Sequence, residues 1–373
     1  MVSQANGRNN PTEFKLQLKR SLTGHKGQVY ALVVSPNGEL LASVGERENS
    51  TRLWDTVTGQ LIAEVDGFAR QFSPDGNALL TTREKSAKLW EAATGKLKFN
   101  LAGHEMEITD ASFSADGNRV ATGSADGTVR LWDANSGTVS HTLTLSNVKK
   151  LPWFRIFSKA LQFPLKVFAK FSPDGKFMAT QAIDLVNINV VSLWETATGQ
   201  LIKEYKDLFQ VIEFSQDSKW LGFLTLAQDV GLLNLESLMI QPTSGVDTGF
   251  LNQNVFSRNS KSYVIGSGFK NYHATLIDVS TGQVKKEIPL VSKWGFDMIS
   301  DFQKDVDILS FHPNSRVLMG ANHQSVRMWN VSTGDLILET REGRDPAAFS
   351  TDGKLLVTVA PDKKTVLLWD VTY

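Results

Sequence analysis

The chain carries six histidines, at positions 25, 104, 141, 273, 312 and 323, and 39 acidic residues, so the side chains for acid–base or metal chemistry are present. Their spacing does not favour either. The histidines show no ligand spacing, and neither a His-Glu-x-x-His motif nor a Walker-type phosphate loop occurs. A Gly-x-Ser-x-Gly elbow is absent as well, which leaves a serine hydrolase without support. Asp305 and Asp307 put two carboxylates in one segment, but a calcium loop of the EF-hand kind needs more ligands and a central glycine. With no cysteine, disulfides, thiolate metal sites and thiol nucleophiles are all excluded, and no cofactor is expected. The sequons at Asn49 and Asn330 matter only to a secreted chain.

Composition bounds the rest. Thirty-nine Lys+Arg balance 39 Asp+Glu, so the broad positive field of a nucleic-acid binder is missing. No apolar run approaches the ~20 residues that span a bilayer. Residues 1–11 are polar and asparagine-rich, with no apolar core of a secretory signal, and read as a flexible tail. A cytoplasmic location is the default expectation.

The elements that would position any site come from a repeated pattern. An apolar residue, Ser-Pro-Asp-Gly, a short apolar run, Leu-Trp-Asp and then Thr-Gly recur from Ser35, Ser73, Ser114, Ser172 and Ser350. Degenerate copies start at Ser215, Ser257 and His312, and successive starts lie 38, 41, 58, 43, 42, 55 and 38 residues apart. Such a period means an array of small sheets, none of which buries its own face alone. In the most regular unit, Ser114-Ala115-Asp116-Gly117 has the residues of a tight turn. Val120 to Gly123 reads as a buried strand, Asp126-Gly127 as a hairpin turn, and Val129 to Trp132 as a strand wet on one side. Ser136-Gly137 then turns the chain into Val139 to Leu145, giving four antiparallel strands joined as a meander.

The Leu-Trp-Asp endings, with Gly24-His25 and Gly103-His104, resemble WD40 repeats. The resemblance covers Phe14 to Tyr373 and implies an all-β, eight-bladed β-propeller, residues 12–373 forming one domain. It also implies a hydrogen-bonded chain inside a blade, here His104, Thr122, Asp126 and Trp132, the one set that reads as complete. The first unit keeps His25, Ser43 and Trp54 but has Glu46-Arg47-Glu48 where Asp-Gly is expected. Trp90, Trp194, Trp329 and Trp369 mark the matching position in other units, while Leu233 and Ile277 replace it in the fifth and sixth. These His and Asp residues can be read as a proton relay or metal site, or as a satisfied buried network. The Ser-Pro-Asp-Gly grammar and the lack of cysteine look like bacterial members of the family.

The last unit ends at its third strand, and Phe14 to Leu22 alternates as a spare strand does, so the N-terminal segment is expected to complete the last blade. Two connections are long. Residues 147–167 place Trp153, Phe154 and Phe157 at helical spacing among Lys149, Lys150 and Arg155, with no acid. This stretch suits an anionic membrane surface, a partner's groove, or packing on its own propeller. Residues 291–307 carry Trp294 and Phe296 with Asp297 and Asp301. The resemblance puts both insertions on one face, where they either pair with each other, mediate self-association, or are unrelated solvated loops. The expected role is a non-catalytic scaffold for one or more proteins; the alternatives are a membrane-peripheral scaffold and an enzyme with a site at the central channel.

Overall fold

The computed structural model describes residues 3–4, 14–145, 165–183, 190–206, 208–225, 230–242, 254–267, 273–289 and 308–372. The expected insertions 147–167 and 291–307 lie almost entirely outside them. No helix occurs among the described residues, which form eight sheets. The fold is all-β, an eight-bladed β-propeller, as the repeat pattern led us to expect.

Blade 3 shows why the sequence takes this form. Its strands are Ile108–Phe113, Arg119–Ser124, Thr128–Asp133 and Val139–Thr144, each antiparallel to the next. The Ser114 hydroxyl donates to Asp116 Oδ1 (2.5 Å) and accepts the Arg119 amide (3.0 Å), while Gly117 closes the turn at φ +72°. The same turn recurs in all eight blades. Gly38, Gly76, Gly175 and Gly353 hold the left-handed position at φ +70° to +76°, and in the degenerate copies Ser218, Ser260 and Ser315 adopt φ +56° to +59° there. The turn is therefore kept where the glycine is lost.

The chain divides into two compact units. One comprises residues 1–48, 52–61 and 241–373, the other 49–51 and 62–240. In the first unit, blade 8 joins Arg344–Phe349, Leu355–Val359 and Val366–Thr372 to the N-terminal strand Lys15–Leu22. That strand pairs antiparallel with Val366–Thr372, Lys15 opposite Thr372 and Leu22 opposite Val366, which is the expected completion of the last blade. Leu22 is buried with Val366, Leu368 and Trp54, and Phe14 and Leu16 with Trp369 and Val371. Ser3–Gln4 pairs with the outer strand of blade 7, Leu336–Thr340.

In the second unit the cores lie between successive blades. Trp132 of blade 3 is buried against Leu80 and Leu89 of blade 2, and Trp194 of blade 4 against Leu131 and Leu143 of blade 3. Polar side chains also cross from one blade to the next. Thr109 Oγ1 donates to Val167 O and accepts the Val167 amide, Asp110 Oδ2 accepts the Ala169 amide (3.1 Å), and Ser112 donates to Ala169 O. These bonds occupy the backbone edge of the inner strand Lys166–Phe171, which no further strand covers.

Candidate functional site

Blade 3 assembles its polar residues around the Gly103-His104 loop. Trp132 Nε1 donates to Thr122 Oγ1 (2.8 Å), which stands 2.8 Å from His104 Nε2, and His104 Nδ1 stands 2.8 Å from Asp126 Oδ2. A carboxylate only accepts, so Nδ1 carries the proton and Thr122 donates to Nε2. The bonds then run in one direction, from tryptophan to threonine to imidazole to carboxylate. Burial pushes the Asp126 carboxyl up, but hydrogen bonds from His104, Thr128 and the Glu105 amide outweigh it and hold the group well below the usual carboxylate range.

Blade 1 forms the same relay with different residues. Trp54 Nε1 donates to Ser43 Oγ (2.8 Å), Ser43 Oγ lies 2.7 Å from His25 Nε2, and His25 Nδ1 lies 2.7 Å from Glu48 Oε2. The expectation that His104 belongs to the only complete set is corrected here. Glu48 sits one residue further along its turn than an Asp-Gly turn would place the acid, and its longer side chain makes up the distance. Arg47, at φ +62°, takes the left-handed conformation that Gly127 supplies at φ +81° in blade 3. Glu48 Oε1 also accepts the Lys26 amide, as Asp126 accepts the Glu105 amide. Burial raises the Glu48 pKa, yet these bonds and nearby Arg52 leave it lowered.

Hydroxyl, imidazole and carboxylate in this order match the geometry of an acyl-transfer triad. Their burial prevents that chemistry. Ser43 and Thr122 are fully buried, His25 and His104 are 5% exposed, and each hydroxyl already accepts from an indole. No substrate carbonyl can approach either oxygen.

Three further tryptophans hold shorter versions. Trp90 donates to Thr81 (2.9 Å), Trp194 to Thr180 (2.8 Å) and Trp369 to Thr358 (2.9 Å). In blade 7, Gly320 stands opposite Arg327 where Thr122 stands opposite Arg130, so Trp329 has no hydroxyl at that position. Blade 2 has no histidine; the carboxylate of Asp66, at the end of the preceding outer strand Leu61–Asp66, binds its Arg83 and Lys88, each at 2.6 Å. Sequence reasoning missed both Glu48 and Asp66. An acid just before the third strand, or just before a glycine that opens the first, was the available signal.

Three other histidines also have structural neighbours. His312 takes the turn-serine position in blade 7, accepting the Asn314 amide at Nδ1 and donating from Nε2 to Gly353 O (3.0 Å) in blade 8. Its ring meets those of Phe14 and Phe349 edge-on. The ring of His141 fills the space over Gly199, and His273 lies 3.5 Å from Glu287. Among the described residues, no three His, Asp or Glu side chains converge to hold a metal ion. The expected partner-binding residues Lys149, Lys150, Trp153, Phe154, Arg155, Phe157, Trp294, Phe296, Asp297 and Asp301 lie outside the described residues. Of the described aromatics, Tyr30 is 46% exposed, at an irregularity in the inner strand of blade 1 between Val29 and Ala31.

Comparison with known proteins agrees with this geometry. Residues 16–55 and 95–133, which contain both histidine relays, match the profile "WD domain, G-beta repeat". The chain is 32% identical over 131 residues to Protein tipD of Dictyostelium discoideum, covering 34% of this chain and 21% of that one. It is 35% identical over 134 residues to small ribosomal subunit protein RACK1y of Oryza sativa subsp. japonica, covering 33% and 39%. Over 239 residues it is 26% identical to Pre-mRNA-processing factor 19 homolog 2 of Arabidopsis thaliana, covering 61% and 41%. The chain thus spans well under half the length of each of these relatives. All three are eukaryotic and give no support to the bacterial expectation. The two matched segments are similar to WD40 repeats, and the fold that contains them is a β-propeller.

Proposed function

We propose that this protein is a non-catalytic scaffold that binds other proteins through side chains at its loops and inner-strand irregularities. The observation that carries this reading is the sealing of both Ser/Thr–His–acid relays inside their blades. Groups suited to chemistry are consumed in holding turns, and rigid turns lower the ordering cost of presenting a binding surface. Tyr30 is the described residue best placed to anchor a partner, since a half-exposed tyrosine on a strand offers area at little entropic cost. The similarity to RACK1y and to a pre-mRNA-processing factor homolog supports a role in assemblies.

The test is affinity capture with the purified protein, beside Tyr30→Ala and a Trp153→Ala/Phe157→Ala double variant. A partner retained by the parent and lost from one of these variants, with melting unchanged, supports the reading. A stoichiometric metal in the purified protein, lost together with a hydrolytic activity on mutation of its ligands, would overturn it. The basic stretch around Lys149, Lys150 and Arg155 supports a second reading, docking on anionic membranes, which flotation with anionic vesicles tests using the same double variant.

A further inference from the structure

Among the described residues, one sheet has five strands instead of four. It is blade 7, whose outer strand Leu336–Thr340 receives Ser3–Gln4 antiparallel, with Ser3 opposite Glu339 and Gln4 opposite Leu338. The outer strands of four other blades carry lysine, while those of blades 1, 3 and 5 carry none among the described residues. Lys98 in blade 2, Lys203 and Lys206 in blade 4, Lys285 and Lys286 in blade 6, and Lys15 and Lys19 in blade 8 all lie on theirs. Lysine on an edge strand is a common device for keeping other strands away. The blade 7 strand reads Leu-Ile-Leu-Glu-Thr and has no lysine or arginine. Its one acid, Glu339, is neutralised by Arg327, at 3.1 Å from both Nε and Nη2.

We infer that the outer edge of blade 7 is a strand-accepting site. Residues 3–4 hold it in cis, and an extended segment of a partner protein takes it by displacing them. Two observations on the strand point the same way. Among the described residues, the chain's own segment pairs at Leu338 and Glu339, whereas the acceptor strand runs from Leu336 to Thr340 and offers a longer incoming strand more main-chain groups. The apolar Leu336-Ile337 end favours an apolar residue in the incoming strand, since main-chain bonds give such additions affinity and alternate side chains give them specificity. The partner is therefore a protein segment in extended conformation, neutral or basic opposite Glu339 and apolar towards Leu336.

Hydrogen–deuterium exchange on the full chain tests this. In the parent, residues 336–340 should exchange about tenfold more slowly than in a Ser3→Pro/Gln4→Pro variant, because proline removes the amides that pair. Both proteins should melt at the same temperature. A synthetic peptide of residues 1–8, added to the variant in excess, should restore slow exchange at 336–340, and the same peptide with proline at its third and fourth positions should not. Equal exchange in parent and variant would overturn the inference, as would a variant that the parent peptide fails to protect. Protection in the parent that disappears on dilution would overturn the in-cis hold, assigning the strand to a second copy.

Discussion

At the residue scale, two aspartates show how burial and hydrogen bonding compete. Asp126 is desolvated, but three hydrogen bonds to its charged form prevail and its pKa lies below the ordinary 3.8. The unfolded chain then binds more protons than the folded one as pH falls through that value, so the stabilisation is present above about 4 and lost below it. Asp110 is the reverse case. Burial dominates over the Ala169 amide and over the charges of Lys170 and Arg70, and the pKa is raised. Here the folded chain holds its proton longer, so stability falls as pH rises through the window above 3.8. Asp126→Asn should therefore cost ~1–3 kcal/mol at pH 7, a gap that narrows on acidification. Asp110→Asn, whose amide oxygen still accepts from Ala169, should be more stable than the parent at pH 7 and lose that advantage in acid. Denaturant titrations between pH 3 and 7 measure both slopes, and slopes of the same sign would contradict the assignment. Trp132→Ala offers a test independent of charge. It empties part of the blade 2–blade 3 core and should cost ~3–5 kcal/mol, against less than about 0.5 for the exposed Ser136→Ala.

At the element scale, the turn between the first and second strands of each blade is the unit on which the fold is built. Its serine or histidine, its Asp or Asn and its left-handed residue are local in sequence, which is why eight copies were legible even where glycine became Ser218, Ser260 or Ser315. Two glycines at this position separate conformational strain from steric fit. Gly175 has φ +70° and open space where a Cβ would project, whereas at Gly353, φ +75°, the Cβ would lie 2.3 Å from His312 Nε2. Gly175→Ala should cost ~1–2 kcal/mol for the left-handed conformation alone. Gly353→Ala should cost more, because the His312 ring must leave and its bond to Gly353 O breaks with it. Equal melting shifts would mean that the ring yields freely. What the sequence did not reveal has a physical cause too. The bonds from Thr109, Asp110 and Ser112 to the inner strand of blade 4 join residues 57 to 59 positions apart, with no spacing rule to announce them. Glu48 was hidden because side-chain length replaced position.

At the scale of the whole molecule, the chain's ends belong to one compact unit and its middle to another. The first unit is held by main-chain pairing between segments some 350 residues apart in sequence, Lys15–Leu22 with Val366–Thr372. Alternation in Phe14 to Leu22, next to a last unit lacking its outer strand, was enough to reveal that pairing before any coordinates. Removing residues 12–22 strips the strand and exposes the edge of Val366–Thr372. It also uncovers Trp369 and Val371 where Phe14 and Leu16 pack, and Val366 and Leu368 where Leu22 does. Burying a side chain of that size contributes ~1.5–3 kcal/mol, so losing three of them costs a large share of a typical domain's stability. The loss should be uneven. Repeat arrays transmit stability mainly between neighbours, so exchange protection should fall first in blades 8, 7 and 1, against which the lost anchors pack. Residues 108–144, in the other unit, should keep protection longer. Removing residues 1–11 should leave the melting temperature nearly unchanged, since the strand and its three apolar anchors remain. Hydrogen exchange on the two deletions decides the matter: uniform loss of protection across all blades in the first, or none, would show that pairing of the ends does not carry the stability of its unit.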